Sequence, residues 1–424
     1  MSKDNENKLV QNLRFPGFSK SWVVKPVSEI CEVFRGSPLS KADLDENGSE
    51  PCIHYGELFT KYAEVVSSIY SKTNRKSGFK SEVGDVLMPS SDVTPDGLAK
   101  ASAIMLKDVI LGGDMNILRP SKDINPIFLS YLLNRSKRDI IKLVSGTTVK
   151  HIYPSQISTC PLSIVDDTSE QQKIAACLSS LDEVITAESQ KLEVLKDHKK
   201  GLLQNLLPQA GETVPKFRFK EFEDSGEWVF DTFSEYIKLY RGSSPRPIQN
   251  YFTTDDTGVN WIKIGDTKNA DNFIIKQVEE RITPEGAEKS RKVNVGELIL
   301  ANSMSFGKTY QLAIEGYIYD GWFVLREYEQ YFDKQFLLQL LNSDYMQTHY
   351  KKLSAGGIVQ NISSDIVYKT ILPHTSIDEQ KQIAASLTSL DEFISAQSKK
   401  VEALQLHKKG LLQGLFPNVS PLSP

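Results

Sequence analysis

Apolar residues recur along two stretches of the chain at alternating spacings of four and three, which is the pattern of a coiled-coil seam. The first stretch is 170–207, and its counterpart begins at Glu379. Eight of the ten seam positions in each stretch are apolar, so each stretch predicts a long amphipathic helix. The apolar seam positions are Ile174, Leu178, Leu181, Ile185, Leu192, Leu195, Leu202, Leu206, Ile383, Leu387, Leu390, Ile394, Val401, Leu404, Leu411 and Leu415.

Both seams are interrupted by polar residues at the same two places, Glu188 and Lys199 in the first and Gln397 and Lys408 in the second. An isolated polar residue in an apolar seam fixes the register in which two helices pair. The same residues also suit a helix face turned to solvent or to a partner protein. The pattern leaves both interpretations open.

Helix start and stop signals flank both stretches, which gives helices of about 38 residues and about 57 Å at 1.5 Å per residue. Proline ends a helix because it lacks the backbone N–H that the next turn needs. The capping residues are Thr168 and Ser169 for the first helix and Ser376 and Asp378 for the second, and the terminating residues are Pro208 and Pro417.

The two stretches are copies of one another. Segment 170–183 returns as 379–392, and the seven residues from His198 return unchanged from His407, at a fixed offset of 209. About 25 of 39 aligned positions are identical, which identifies a tandem duplication.

Outside the helices the two halves share landmarks but not their content. Phe34-Arg-Gly-Ser-Pro38 is matched by Tyr240-Arg-Gly-Ser-Ser-Pro245, whereas segments 40–80 and 246–292 show no convincing similarity. Matching landmarks with dissimilar sequences between them indicate two domains that perform the same task on different targets.

Two helices with one shared seam are suited to pairing with each other, although each could instead pack only on its own domain. An antiparallel pair would act as a spacer between two lobes and give the chain an approximate two-fold axis. Binding modules separated by a few tens of ångströms meet the DNA major groove about one turn, or about 34 Å, apart. The expected target is therefore two short, different sequences with an unread gap between them.

The lobes alternate short β-branched runs with turns and a few helices, so the predicted fold class is α+β, with two mixed domains separated by two long antiparallel helices. The predicted boundaries are a disordered tail at 1–12, a first recognition domain at 13–168, a spacer helix at 169–208, a second recognition domain at 209–377, a second spacer helix at 378–417 and a tail at 418–424.

Candidate DNA-reading residues lie at equivalent places in the two halves. Glycine-containing polar loops at 145–151 and 355–361 would bring backbone N–H groups to phosphates and polar side chains to base edges. A plain surface turn is the alternative for the loops, and a structural ion pair is the alternative for Arg35 and Arg241. The loop candidates are Thr147, Thr148, Lys150, His151, Gln360 and Asn361.

Basic clusters in the diverged segments are further candidates, because arginine and lysine are the usual partners of guanine and phosphate. A solvated charged face is the ordinary interpretation of such a cluster. The candidates are Lys72, Arg75, Lys76 and Lys80 in the first half and Arg246, Lys263, Lys268, Arg291 and Lys292 in the second.

Charge and motifs limit the function. The net charge is −4, and cationic and acidic residues are nearly balanced in every segment, so DNA contact would need local patches or a partner that supplies positive charge. No nucleotide-binding, zinc-protease or serine-hydrolase motif is present, so neither a catalytic nor a metal site is expected. The polar N-terminus and the lack of an apolar run of membrane-spanning length predict a cytoplasmic protein.

The duplicated Glu-Gln…Ile-Ala, Leu-Asp-Glu and His-Lys-Lys-Gly-Leu-Leu-Gln segments, with a diverged domain before each, resemble the specificity subunits of type I restriction-modification systems over nearly the whole chain. The resemblance implies a subunit without catalytic activity that binds a bipartite, asymmetric DNA sequence and docks two methylation subunits on its helices. Those partners would bind S-adenosylmethionine, which this chain would not, and two restriction subunits would join the core. The alternative is a two-lobed protein scaffold that does not bind DNA.

Overall fold

A computed structural model describes residues 11–209, 211–303, 307–354 and 362–417. The chain forms two compact units. Unit 1 contains the described residues up to Glu188 and those from Val401 onward, and unit 2 extends from Ser189 to Lys400. Both predicted tails, apart from residues 11 and 12, lie outside the described residues.

Unit 1 is a mixed helix and sheet structure. Its short helices are α1 Val27–Ile30, α2 Glu57–Thr60, α3 Pro126–Arg135, α4 Lys137–Lys142 and α5 Pro154–Ile157. Its strands are β1 Trp22–Pro26, β2 Cys31–Arg35, β3 Glu50–Ile53, β4 Val65–Val66, β5 Ser71–Thr73, β6 Phe79–Lys80, β7 Val86–Pro89, β8 Ser91–Asp92, β9 Ser102–Ile104, β10 Ile110–Leu111, β11 Met115–Pro120, β12 Lys150–His151 and β13 Pro161–Val165.

Unit 2 is built from corresponding elements after the first long helix, α6 Thr168–Leu206. Its short helices are α7 Phe233–Tyr236, α8 Pro284–Ala287, α9 Lys334–Asn342, α10 Asp344–Ser354 and α11 Ser364–Tyr368, and the second long helix is α12 Ile377–Leu415. Its strands are β14 Val229–Thr232, β15 Lys238–Arg241, β16 Val259–Ile262, β17 Ile274–Ile275, β18 Glu280–Ile282, β19 Arg291–Val293, β20 Leu298–Ala301, β21 Thr309–Leu312, β22 Gly316–Ile318, β23 Trp322–Arg326 and β24 Ile371–His374.

The two units share three sheets of the same topology. A five-stranded sheet has the order β2-β11-β7-β9-β4 in unit 1 and β15-β23-β20-β21-β17 in unit 2. A four-stranded sheet has the order β5-β3-β10-β6 or β18-β16-β22-β19, and its two middle strands are parallel in both units. The first and last strands of each lobe pair as β1-β13 or β14-β24 directly before a long helix. The predicted α+β class and tandem repeat are confirmed.

The five-stranded sheet of each unit is covered on both faces, because alternate side chains of a strand point to opposite sides. In β7, Val86 and Met88 pack in the core that contains α3, whereas Leu87 packs in the core beneath the four-stranded sheet. In β20, Leu300 packs in the core that contains α9, whereas Ile299 packs in the core beneath the four-stranded sheet. Strands buried on both faces therefore read as continuous apolar runs.

Both long helices contain 39 residues and begin one residue before the predicted starts. The side chain of Asp167 caps α6, accepting from the N–H groups of Ser169 and Glu170, so the predicted capping role of Thr168 and Ser169 is wrong. Ser376 caps α12, as predicted, whereas Asp378 lies within its first turn.

All sixteen apolar seam residues are buried or half-buried. In unit 1 the start of α6 and the end of α12 share one core, to which Ile174 and Leu415 belong. In unit 2 the end of α6 and the start of α12 do the same through Leu206 and Ile383. Within each unit the helix segments run antiparallel, and the seam continues into the core of the lobe.

An ion pair to a buried glutamate ties the start of each long helix to the segment before the first strand of its lobe. Arg218 donates from Nε and Nη2 to the two carboxylate oxygens of Glu379 at 2.8 and 2.7 Å. Arg14 binds both oxygens of Glu170 in the same way, at 2.9 and 2.6 Å. The dipeptide Arg-Phe stands before each lobe, as Arg14-Phe15 and Arg218-Phe219, and its arginine thus has a structural role.

Candidate nucleic-acid interface

The repeated Arg-Gly-Ser motif marks a close approach of two backbone segments. After β2 ends at Arg35, the N–H groups of Gly36 and Ser37 donate to the carbonyl oxygens of Met115 and Leu111 at 3.1 and 3.0 Å. A Cβ atom on Gly36 would lie 1.8 Å from the carbonyl oxygen of Gly112, so only glycine fits there.

A chain of hydrogen bonds connects Arg35 to the end of the predicted loop. Arg35 Nε donates to the carbonyl oxygen of Gly113 at 3.2 Å, and its Nη2 lies 3.7 Å from Asp114 Oδ1. The carbonyl oxygen of Asp114 accepts from the Ser90 N–H, and the Ser90 carbonyl oxygen accepts from the Ile152 N–H. We call Arg35, Ser90, Asp114 and residues 145–152 the loop edge of unit 1.

The loop itself is a tight, backbone-bonded turn. Ser145 and His151 exchange two backbone hydrogen bonds of 2.9 and 2.8 Å, and β12 pairs with β8. Gly146 has a φ of +102°, and Lys150 Nζ donates to its carbonyl oxygen at 2.9 Å. The tip therefore presents polar side chains, including those of Thr147 and Thr148, on a fixed backbone.

Unit 2 repeats this construction. Arg241 Nε donates to the carbonyl oxygen of Asp320 at 3.2 Å, and a Cβ atom on the following Gly242 would lie 2.0 Å from a carbonyl oxygen. Asn302 Nδ2 donates to the same Asp320 oxygen at 2.8 Å, and the Asn302 carbonyl oxygen accepts from the Ile362 N–H at 2.7 Å. Arg241, Asn302, Asp320 and Ile362 form the loop edge of unit 2; Gln360 and Asn361 lie outside the described residues.

The loop edge of unit 2 carries additional polar groups. Asp320 accepts from the Ser244 hydroxyl at 2.6 Å, which lowers the pKa of this carboxyl group, and the guanidinium of Arg246 lies 3.9 Å away. Arg246 is 85% exposed. Arg291 Nε donates to the carbonyl oxygen of Arg241. Three predicted arginines of unit 2 are therefore brought together.

The remaining basic candidates lie away from the loop-edge contacts just described, and most face carboxylates. Among the described residues, Lys72 and Lys76 are exposed and form no ion pair. The ion-paired candidates are Arg75 with Asp43, Lys80 with Glu50, Lys263 with Glu280, Lys268 with Glu279 and Lys292 with Glu315.

Residues that organise the loop edges were missed from the sequence. Ser90 contributes only backbone groups, and Asn302, Asp114 and Asp320 contribute backbone carbonyl groups as well as side chains. A backbone group gives no signal in the residue type, because every residue has one. The acidic residues could have been found, because Gly113-Asp114 and Asp320-Gly321 follow the Arg-Gly-Ser motifs at nearly equal distances.

Other kinds of site find no support in the part of the chain that the structure describes. No cluster of three or more histidine, cysteine or acidic residues is arranged to hold a metal ion there. Likewise, none of the helices within those ranges is both long and apolar enough to cross a membrane.

Two known proteins are similar to this chain in sequence over nearly its whole length. The type I restriction enzyme MjaVIII specificity subunit of Methanocaldococcus jannaschii is 23% identical over 430 residues, which cover 98% of this chain and 96% of that protein. The putative type I restriction enzyme MjaX specificity subunit of the same organism is 23% identical over 412 residues, covering 94% and 93%.

Two solved structures have similar folds. The S subunit of a type I restriction-modification system from M. genitalium matches with a TM-score of 0.60 at 14% identity, covering 97% of this chain and 100% of that one. A chain from a structure on complex assembly and conformational transition of the type I R-M system matches with a TM-score of 0.56 at 14% identity, covering 96% and 99%.

The family comparison agrees with the duplicated architecture. The model of the type I restriction modification DNA specificity domain matches residues 19–197 and again 227–406, so two copies cover most of the chain. The chain belongs to this family: it is a non-catalytic specificity subunit of a type I restriction-modification system, with two DNA specificity domains in tandem.

Proposed function

We propose that each unit reads one half of a bipartite, asymmetric DNA sequence through its loop edge. Arg35, Thr147, Thr148, Lys150 and His151 would contact one half-site. The contacts to the other half-site would come from Arg241, Arg246, Arg291, Gln360 and Asn361.

One observation carries this proposal: the two loop edges have the same backbone construction and different side chains. Ser90 in unit 1 is replaced by Asn302 in unit 2, and only Asp320 has a serine hydroxyl and a second arginine beside it. The same construction supports the same task. Different hydrogen-bonding groups support different bases, because base edges are distinguished by their pattern of donors and acceptors.

We further propose that the chain acts in the cytoplasm with partner subunits. Its near-balanced charge favours a complex in which two methylation subunits supply both positive charge and bound S-adenosylmethionine, and restriction subunits join that core. The repeated long helices support two equivalent docking positions. Exposed apolar side chains at matching places, Val184 and Phe393, suit such contacts.

Selection from a random DNA library by the chain in complex with its methylation subunit tests the DNA proposal. We expect the recovered fragments to share two different half-sites at one fixed gap. A complex that retards no genomic or library fragment in a gel at low salt would contradict the proposal, and the protein-scaffold alternative would then stand.

A loop variant assigns one half-site to unit 1. Replacing Thr147, Thr148 and Lys150 by alanine should relax the sequence of a single half-site, with the other half-site and the gap unchanged. The matched control replaces Ser121 and Lys122, which are exposed but lie beside Asp123, whose carbonyl oxygen accepts a hydrogen bond from Gln171 of α6. Equal effects of both variants would contradict a reading role for the loop.

A further inference from the structure

A lysine whose side chain is only 16% exposed joins three segments of unit 1. Lys408 of α12 places Nζ 2.6 Å from Asp182 of α6 and 2.9 Å from Glu64, which directly precedes β4. The Tyr131 hydroxyl of α3 donates to the second carboxylate oxygen of Asp182 at 2.5 Å. Burial opposes the charge on Lys408, but the two carboxylates outweigh it and raise the pKa of this lysine.

Unit 2 contains the equivalent arrangement with the helices exchanged. Lys199 of α6 places Nζ 2.6 Å from Asp391 of α12, and both side chains are at most 16% exposed. Gln339 of α9 donates to the second carboxylate oxygen at 2.7 Å. Asn272 donates to the Asp391 carbonyl oxygen at 3.4 Å. We call Lys408, Asp182 and Tyr131, and likewise Lys199, Asp391 and Gln339, the polar junctions.

Each junction takes an aspartate from one long helix, a lysine from the other and a third group from the lobe. Asp182 precedes Lys199 by the same number of residues as Asp391 precedes Lys408. One antiparallel register therefore forms both ion pairs at once, and any other register separates both.

The apolar seam by itself defines the register weakly. Its leucine and isoleucine positions repeat every seven residues, so a shift by one heptad again places apolar residues opposite one another. The same shift would separate Lys199 from Asp391 and Lys408 from Asp182, which is strongly unfavourable because these charges are largely buried.

We propose that the residues of the two polar junctions are positioning residues. They hold the two long helices at a single register and fix each lobe to the helix pair. The gap between the DNA half-sites is thereby fixed. The statement about the gap rests on the proposed function. The statement about register does not depend on it.

Spin labels test the register without DNA. Labels at Val194 of α6 and Ala396 of α12, both exposed and both in unit 2, would report the distance between the helices by double electron–electron resonance. Cys177 is half-buried and should be replaced by serine, the residue that the second copy carries at Ser386; the other three cysteines are buried.

The decisive variant makes the junction of unit 2 apolar through Lys199→Met, Asp391→Leu and Gln339→Leu. We expect a folded protein, because apolar residues can replace a buried ion pair without loss of stability. The parent should show one distance between the spin labels, and this variant should show two or more. Exchanging the charges, with Lys199→Asp and Asp391→Lys, should restore one distance, whereas Lys199→Asp alone should not.

The matched control is Glu193→Leu with Lys196→Met, which removes an exposed ion pair of 2.8 Å on the same helix. It should retain the single distance. The inference is overturned if the apolar variant keeps one distance. If that variant fails to fold, retention of one distance by Lys199→Asp alone overturns the inference instead.

DNA selection tests the gap with the same variants in complex with the methylation subunit. The apolar variant should recover the parental half-sites at more than one gap length. The control and the charge exchange should recover a single gap. A parent that selects no bipartite site would contradict the proposed function, and the spin-label distances would still decide the register.

Discussion

Arg35 Nε donates a hydrogen bond of 3.2 Å to the carbonyl oxygen of Gly113, and this bond fixes the guanidinium at the rim of the loop edge. The side chain remains 58% exposed, so its outer nitrogens are available to a ligand. Arg241 is held in the same way by Asp320 in unit 2. A structural bond and a binding role are therefore compatible in the same residue.

Replacing Arg35 by alanine should relax the recognition of one half-site, and replacing Arg241 should relax the other. A good arginine–base contact contributes about 1–3 kcal/mol of discrimination, or roughly 5- to 150-fold in relative affinity. Competition binding with sites altered at single positions measures this loss in the complex with the methylation subunit.

Arg138→Ala is the matched control for Arg35, because Arg138 is an exposed arginine on α4 of the same unit. It should leave both half-sites unchanged. Uniform weakening across all sequences after Arg35→Ala would indicate a phosphate contact, and loss at the same half-site from both arginine variants would contradict the assignment of one half-site to each unit.

The long helices could be predicted because their signal is local and repeated. The spacing of residues such as Ile174 and Leu178 determines a helical face within a few turns, and the second copy supplies the same pattern independently. The capping residue was harder to predict, because Asp167 and Thr168 are both chemically suitable caps and only the backbone geometry distinguishes them.

The candidate site could be predicted only in part, because charge compensation is a three-dimensional property. Arg75 appears as a free cation in the sequence, but Asp43, 32 residues earlier, accepts its Nε hydrogen bond at 2.9 Å. The partner of Arg35 is a carbonyl group, which any residue could supply. Repetition of the Arg-Gly-Ser motif nevertheless predicted that Arg35 and Arg241 occupy equivalent places, whereas local positive charge did not predict which cations are paired.

Replacing Arg218 by alanine should destabilise unit 2 by roughly 3–5 kcal/mol, because Glu379 would remain buried without its cation. The two side chains are 8% and 1% exposed. Arg14→Ala should destabilise unit 1 less, since Arg14 is 27% exposed in the corresponding pair. Denaturant unfolding monitored by fluorescence measures both changes.

The control for Arg218 is Lys381→Ala, which removes an exposed lysine 3.9 Å from Asp378 on the first turn of α12. Exposed pairs of this kind contribute little to stability. A loss from Lys381→Ala as large as that from Arg218→Ala would show that burial does not determine the importance of these ion pairs.

Phe393→Asp and Val184→Asp should each weaken the binding of one methylation subunit. The two side chains are 66% and 44% exposed, occupy equivalent places in the repeat and lie on opposite long helices. A charge in a contact that buries apolar surface is unfavourable because it loses its hydration. Mass photometry of the assembled complex should show one partner copy missing from each variant and two from the double variant.

Val295→Asp is the control for docking, because Val295 is 65% exposed and precedes β20 rather than lying on a long helix. Its complex should have the parental mass. Full assembly of the double variant at low protein concentration would contradict docking at these positions.

His374→Gln should make unfolding of the chain less sensitive to acid between about pH 7.5 and 5.5. Burial lowers the pKa of His374 below its ordinary 6.5, and its Nε2 lies 3.0 Å from the Tyr236 hydroxyl. The unfolded chain therefore binds a proton more readily than the folded one. The stabilisation is present above about pH 6.5 and is lost as the pH falls through the lower, folded pKa. Glutamine carries no titrating proton, so the difference in Tm between the two pH values should shrink relative to the parent in a thermal melt.

The control is His198→Gln, which replaces an exposed histidine on α6 and should leave that difference in Tm unchanged. An equal pH difference in the parent and in His374→Gln would mean that protonation of His374 does not contribute to acid unfolding.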